Sequence, residues 1–224
     1  EVCVLVSWLN SPDYHFLSSV TVDTNNQIVL ELMSDPEASF THFDVYHGRS
    51  IDDLSWFREI PKTDTSFYSI IDTENDPLLG SHYYYITGID SCDRASDTTQ
   101  ISRTMDFRTR MNRSGNVELR FNSYINWLNG VDTYSITREV EGIIESTPMI
   151  EFSSTEDTLS LVDSENSSGS VCYILEAKSH PMESDSVAYS RALKSCTESY
   201  TELFVFPTAF SPNGDGVNDL FELG

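Results

Sequence analysis

The stretch "NGDGVND", residues 213–219, gathers four hard oxygen donors, Asn213, Asp215, Asn218 and Asp219, around Gly214 and Gly216. Oxygen donors at that density suit calcium. A calcium loop, however, presents oxygens at positions one, three and five with glycine at six, and position five here is Val217. The other reading is a tight turn, in which the glycines take positive φ and the Asn and Asp side chains bond backbone amides. The turn accounts for the spacing better, and no metal ligand set is assigned.

The remaining chemistry-bearing residues are sparse. Cys3, Cys92, Cys172 and Cys196 form no CxxC pair and have no histidine at zinc spacing. An even, widely spaced set fits two disulfides in an oxidising compartment, with buried free thiols as the alternative. His42 and His47 are an odd step apart on one strand, so they face opposite sides and make no catalytic pair. There is no GxSxG elbow, HExxH helix or P-loop. Carboxylates are so abundant that two meeting at glycosidase distance would carry no information. The expectation is a non-enzymatic chain with no catalytic residue and no cofactor.

Thirteen Lys and Arg stand against 36 Asp and Glu, a net charge of −23 spread along the chain. Such a surface repels phosphate backbones, so nucleic acid is not an expected partner. No apolar run approaches the roughly 20 residues of a membrane span, and membrane insertion is not expected. The chain opens at Glu1 without an initiator Met or the basic and apolar regions of a signal peptide, and reads as either a mature fragment or an excised segment.

The elements that must carry these residues are visible as an internal repeat. "IVLEL" (Ile28, Leu30, Leu32) recurs as "VELRF" (Val117, Leu119, Phe121). Phe43 and Val45 of "FDVYHG" are answered by Tyr134 and Ile136 of "YSITRE". Ile70 and Asp72 match Leu161 and Asp163, and Tyr84, Ile86 and Gly88 match Tyr173, Leu175 and Ala177, all at offsets of 89 to 91. Each segment alternates with period two, the signature of a strand with one buried face. Turn-rich pieces such as "SDPEAS", "TENDPLLG" and "DSENSSG" separate them. "SIDDLSWFREI" is the one helix candidate, and it reads better as an edge strand or short turn. Two units of roughly seven strands predict an all-β chain of two tandem antiparallel β-sandwiches. The expected divisions are a lead segment 1–14, sandwiches at 15–107 and 108–205, and a closing stretch 206–224. The boundary is expected as an exposed linker in "RTRMNRSG", residues 108–115, where arginines concentrate beside a glycine.

"SHYYYITGIDSCDRASDTTQISRTM", and "GSVCYILEAKSH" with "SVAYSRALKSC", resemble the last two strands of fibronectin type III-like modules of bacterial surface proteins. In that family a Tyr heads the penultimate strand in a Y-x-[VI]-x-[AG] pattern. Tyr84-Ile86-Gly88 fits it, and Tyr173-Leu175-Ala177 fits apart from the central Leu. The family's strand B tryptophan is missing, with Leu32 and Phe121 near its place. The resemblance implies a Cys172–Cys196 disulfide between neighbouring strands, worth roughly 3 kcal/mol by loop closure. It leaves Cys3 to Cys92, or to a module upstream.

The closing "FPTAFSPNGDGVNDLF" resembles the opening of the gliding motility-associated C-terminal domain. Pro207, Ala209, Phe210, Ser211, Pro212, Asn213, Gly214, Asp215, Gly216, Asn218, Asp219 and Phe221 fall on its pattern, and Thr208 departs from it. In that family the domain is the type B sorting signal read by the type IX secretion machinery, and this chain holds its first strand and turn. The resemblance implies an extracellular or cell-surface location. The expected function is a stalk or adhesion module of a large exported protein, with a protein or glycan ligand. The alternative is a carbohydrate-binding or accessory pair of a secreted hydrolase. Tyr83, Tyr85 and Trp56 could form an aromatic platform, or be cross-strand pairs. Asn112-Arg113-Ser114 and Asn166-Ser167-Ser168 match the glycosylation triplet.

Overall fold

The alternation of the two repeats is realised as burial. Ile28, Leu30 and Leu32 point into one core, and Val117, Leu119 and Phe121 into another. The computed structural model describes residues 11–112, 114–127, 129–165, 169–181 and 186–199.

In the first half, β1 (His15–Val22), β2 (Ile28–Ser34) and β5 (Phe67–Asp72) form an antiparallel sheet in the order β1-β2-β5. The facing sheet runs β4-β3-β6-β7, from β3 (Phe40–Gly48), β4 (Ser55–Pro61), β6 (Tyr83–Asp90) and β7 (Ala95–Thr98), with β8 (Ser102–Arg103) also on β6. "SIDDLSWFREI" is a 3-10 turn, Ile51–Asp53, followed by the edge strand β4, in keeping with its pattern. Leu30, Leu32, Phe43, Val45, Tyr84 and Ile86 fill the space between the sheets.

The second half repeats the plan. One sheet is β14-β10-β9, from β9 (Phe107–Met111), β10 (Val117–Asn122) and β14 (Thr158–Asp163). The other is β12-β11-β15-β16, from β11 (Val131–Val140), β12 (Ile143–Ile144), β15 (Gly169–Ser179) and β16 (Tyr189–Arg191). Two short strands join it, β13 (Ile150–Phe152) on β11 and β17 (Ser195–Ser199) on β15. Leu119, Phe121, Tyr134, Ile136, Tyr173 and Leu175 are at most 1% exposed in its core. The chain is all-β, two tandem antiparallel β-sandwiches.

Two features differ from the sequence reading. Each sandwich has more than the expected roughly seven strands, partly because its last strand is broken. β7 and β8 both pair with β6, and β16 and β17 both pair with β15. The break is itself repeated. Thr99 donates its amide to the Ile86 carbonyl at 2.8 Å, and Ala192 donates to the Leu175 carbonyl at 3.0 Å, on matched residues of the two repeats.

The second difference is the boundary. Residues 108–115 are not a linker, because Phe107–Met111 is β9, paired with β10 from Phe107 opposite Phe121 to Met111 opposite Val117. The turn that follows is closed by Asn112 N donating to Asn116 O at 2.8 Å, with Gly115 at φ 80°. Arg108 and Arg110 are exposed while Phe107 is buried. The arginines mark the solvated face of an edge strand, and their density mimics a linker. The crossover between sandwiches falls at residues 104–106.

Candidate functional site

Cys172 on β15 lies opposite Cys196 on β17, and the two form a disulfide with S–S 2.06 Å. The matched rung of the first sandwich is Tyr83 opposite Arg103. There Arg103 Nη1 donates to Tyr83 Oη at 2.9 Å, and the guanidinium carbon lies 5.6 Å from the ring centroid. One cross-strand position is thus covalent in one repeat and a cation–π contact with a hydrogen bond in the other. Cys92 sits in the turn after β6 and is not a free thiol. Cys3 lies outside the described residues, and with it the Cys3–Cys92 bridge. The sorting-motif residues Pro207, Phe210, Pro212, Asn213, Gly214, Asp215, Gly216, Asn218, Asp219 and Phe221, and the Asn166 triplet, also lie outside them. Asn112 Oδ1 accepts from the amides of Ser114 and Asn116, so the Asn112 side chain is engaged in the hairpin turn.

The repeat also carries a buried polar pair. Tyr84 Oη donates to Asp72 Oδ2 at 2.7 Å, and Tyr173 Oη donates to Asp163 Oδ2 at 2.8 Å. Both carboxylates are almost fully buried. Asp72 also accepts from the amides of Glu74 and Asn75 and from Asn75 Nδ2. Burial pushes its carboxyl up, but the donors, led by Tyr84 and Asn75, outweigh this and hold it below the usual carboxylate range. Burial, then the carboxylate itself, pushes both phenols up. Where Arg138 stands opposite Tyr173 and reaches Asp163 at 3.3 Å, the first repeat has His47 opposite Tyr84.

That exchange creates a histidine pair which the strand parity of His42 and His47 did not reveal. His47 Nε2 and His82 Nδ1 are 2.9 Å apart, and the rings stack at 5.2 Å. His82 Nε2 lies 2.8 Å from the Asp76 carbonyl. Arg49 Nη1, which can only donate, lies 2.5 Å from the same nitrogen, so Nε2 is shared between a carbonyl acceptor and a guanidinium donor. His82 is 1% exposed, and Arg49 packs against the same ring. Burial, reinforced by the positive charge of Arg49, lowers His82 to about 4, against the opposing effect of its bond to Asp76. His47 is lowered as well, first by burial. The arrangement keeps neutral imidazoles packed. Among the described residues no group of three or more His, Cys, Asp or Glu could hold a metal ion.

The aromatic residues of the expected platform lie on β4 and β6 in cross-strand contacts. Tyr83 is engaged by Arg103, and Tyr85 stacks on Tyr46 at 4.4 Å with 6° between planes. Trp56 is 58% exposed and donates to Asp44 Oδ1 at 2.9 Å. Tyr46 lies opposite both Trp56 and Tyr85, so the row is a set of cross-strand pairs.

The most densely bonded polar site that sequence reasoning missed lies between the sandwiches. The segment after β10, "SYINW", brings Tyr124 and Trp127 together at 4.1 Å between ring centroids, 5% and 7% exposed. Tyr124 Oη accepts from Val20 N at 2.8 Å and from Ser102 Oγ at 2.9 Å. Burial pushes its phenol up to about 12, against the two donors. Trp127 Nε1 donates to the Ser18 carbonyl at 2.6 Å. From β16, Ser190 Oγ donates to the Val20 carbonyl and Arg191 N to Thr21 Oγ1, each at 2.8 Å. Away from β1, Arg108 Nη2 donates to Leu78 O at 2.9 Å and Asn122 Nδ2 to Ser81 Oγ at 2.6 Å. Two large aromatics in a short segment between strands, where polar turn residues are the rule, were the available signal.

No family model matches the chain, and no curated protein does. Among solved structures it is similar to the chicken CNTN1 FN1-FN3 domains, with 12% identity and a TM-score of 0.30, over 85% of this chain and 68% of that one. It is also similar to a two fibronectin type III domain segment from chicken tenascin, with 14% identity and a TM-score of 0.28, over 84% and 98% of the two chains. The sandwich assignment rests on the strand pairing described above and not on these similarities.

Proposed function

We propose that the chain is a non-enzymatic stalk or adhesion module of a secreted or cell-surface protein, exported by the type IX secretion machinery. The two sandwiches act as fibronectin type III-like modules that hold or present a protein or glycan ligand. The observation that carries the export reading is the resemblance of residues 206–221 to the opening of a type B sorting domain. The Cys172–Cys196 disulfide supports an oxidising compartment. Two tandem sandwiches with apolar cores suit a load-bearing or spacing role.

The test is export of a reporter in a host carrying the secretion system. One fusion carries residues 104–224; a second carries the same segment continued through a complete sorting domain. A single strand and turn make no core, so the extended fusion is expected at the surface or in the medium and the short one inside the cell. Retention of both fusions would overturn the export reading.

A further inference from the structure

We infer that the second sandwich is the missing edge partner of the first, and that the two form one cooperative unit with a fixed angle between them. Among the described residues β1 is an edge strand, paired with β2 alone. Its outward backbone groups include the carbonyl of Ser18 and both the amide and the carbonyl of Val20. In a free sandwich these would face water or invite another strand. Here each has a partner from the second sandwich: Trp127 Nε1, Tyr124 Oη and Ser190 Oγ. Val20 and Ser190 are fully buried, so water is not an alternative partner there. Leu193, from the break between β16 and β17, packs against the core of the first sandwich rather than its own.

Geometry turns these bonds into a fixed angle. Modules joined by a short connection ordinarily swing relative to each other unless the interface between them is extensive and dry. The crossover at residues 104–106 is one tether. The β1 edge is a second, and the bonds from Arg108 and Asn122 to Leu78 and Ser81 are a third. Attachments at three separate places leave no axis for bending or rotation without breaking one of them. Ser102 Oγ and Arg103 Nη2 tie the crossover itself to Tyr124 and to the Ser123 carbonyl. A buried peptide group stripped of its partner costs as much as a lost core contact, so partial opening is disfavoured against opening the whole junction. The coupling is independent of the export reading, and either can fail alone.

The experiment is hydrogen exchange on the full chain, followed by mass spectrometry, with a substitution confined to the second sandwich. Tyr173→Phe removes a buried bond to Asp163 that is no part of the junction. The expected result is that the slowest amides of β2 and β6, in the first sandwich, lose protection by the same factor as those of β11, about tenfold to a hundredfold. Unchanged protection in β2 and β6, with loss in β11, would overturn the proposal. Tyr124→Phe with Trp127→Phe, which removes the junction's Oη and Nε1, is then expected to confine the effect of Tyr173→Phe to the second sandwich. Continued equal loss in the two sandwiches would show that the named residues do not carry the coupling.

Discussion

Tyr84 and Tyr173 each deliver a phenolic proton to a carboxylate that would be costly in its core without it. A charge-assisted bond of this kind is worth more than a neutral one, and its loss leaves a buried charge short of a donor. Tyr84→Phe and Tyr173→Phe are each expected to cost about 1.5–3 kcal/mol, read by denaturant unfolding. A change below about 0.5 kcal/mol would mean that the remaining donors, with Asn75 Nδ2 on Asp72 and Arg138 on Asp163 among them, suffice. His82 supplies a second prediction. Folded, it stays neutral down to about 4; unfolded, it takes up a proton near 6.5. The unfolded state therefore binds more protons between these values, and stability is full above the upper one and falls as the pH drops towards the lower. The slope from this proton is up to about 1.4 kcal/mol per pH unit. His82→Gln keeps a polar side chain and does not titrate, so unfolding curves between pH 6.5 and 4.5 should be flatter for it than for the native chain.

At the scale of the element, the two copies of one strand have been filled differently. Gly88 and Ala177 are matched positions on β6 and β15, yet a Cβ at Gly88 would come within 2.6 Å of the Phe40 ring. The ring occupies the space that the methyl of Ala177 takes in the other repeat. Gly88→Ala is expected to cost about 1–3 kcal/mol by overpacking, and combining it with Phe40→Leu should recover most of that loss in a thermal melt. The rung beside Tyr84 and Tyr173 is the second contrast. Replacing Cys172 and Cys196 together by Ser should cost roughly 3 kcal/mol through the loop they close. Its effect should be read first in β15 and β17, the strands that the bond joins.

For the whole molecule, the arginine-rich segment is the informative place. Arg108 and Arg110 lie in β9, and Arg103 is bonded to Tyr83 and to the Ser123 carbonyl. A protease needs a locally unfolded stretch, so trypsin is expected to leave residues 103–112 intact until the molecule opens as a unit. Two stable fragments separated at the crossover under native conditions would contradict the junction described here. The strand identities, the inward faces and the two sandwiches were legible in the sequence, because alternation with period two and a repeat of matched residues are local signals. Asp72 and Asp163 with Tyr84 and Tyr173 even stood out as repeated residues, although nothing in the pattern said that each Tyr meets its Asp across the sheets. The pairing of Cys172 with Cys196 followed from a resemblance to adjacent strands. The tertiary structure decided the rest. His47 meets His82, and Tyr124 and Trp127 meet β1, through contacts between segments 35 to 109 residues apart. Such contacts depend on how sheets and sandwiches are placed, which no period along a single strand encodes.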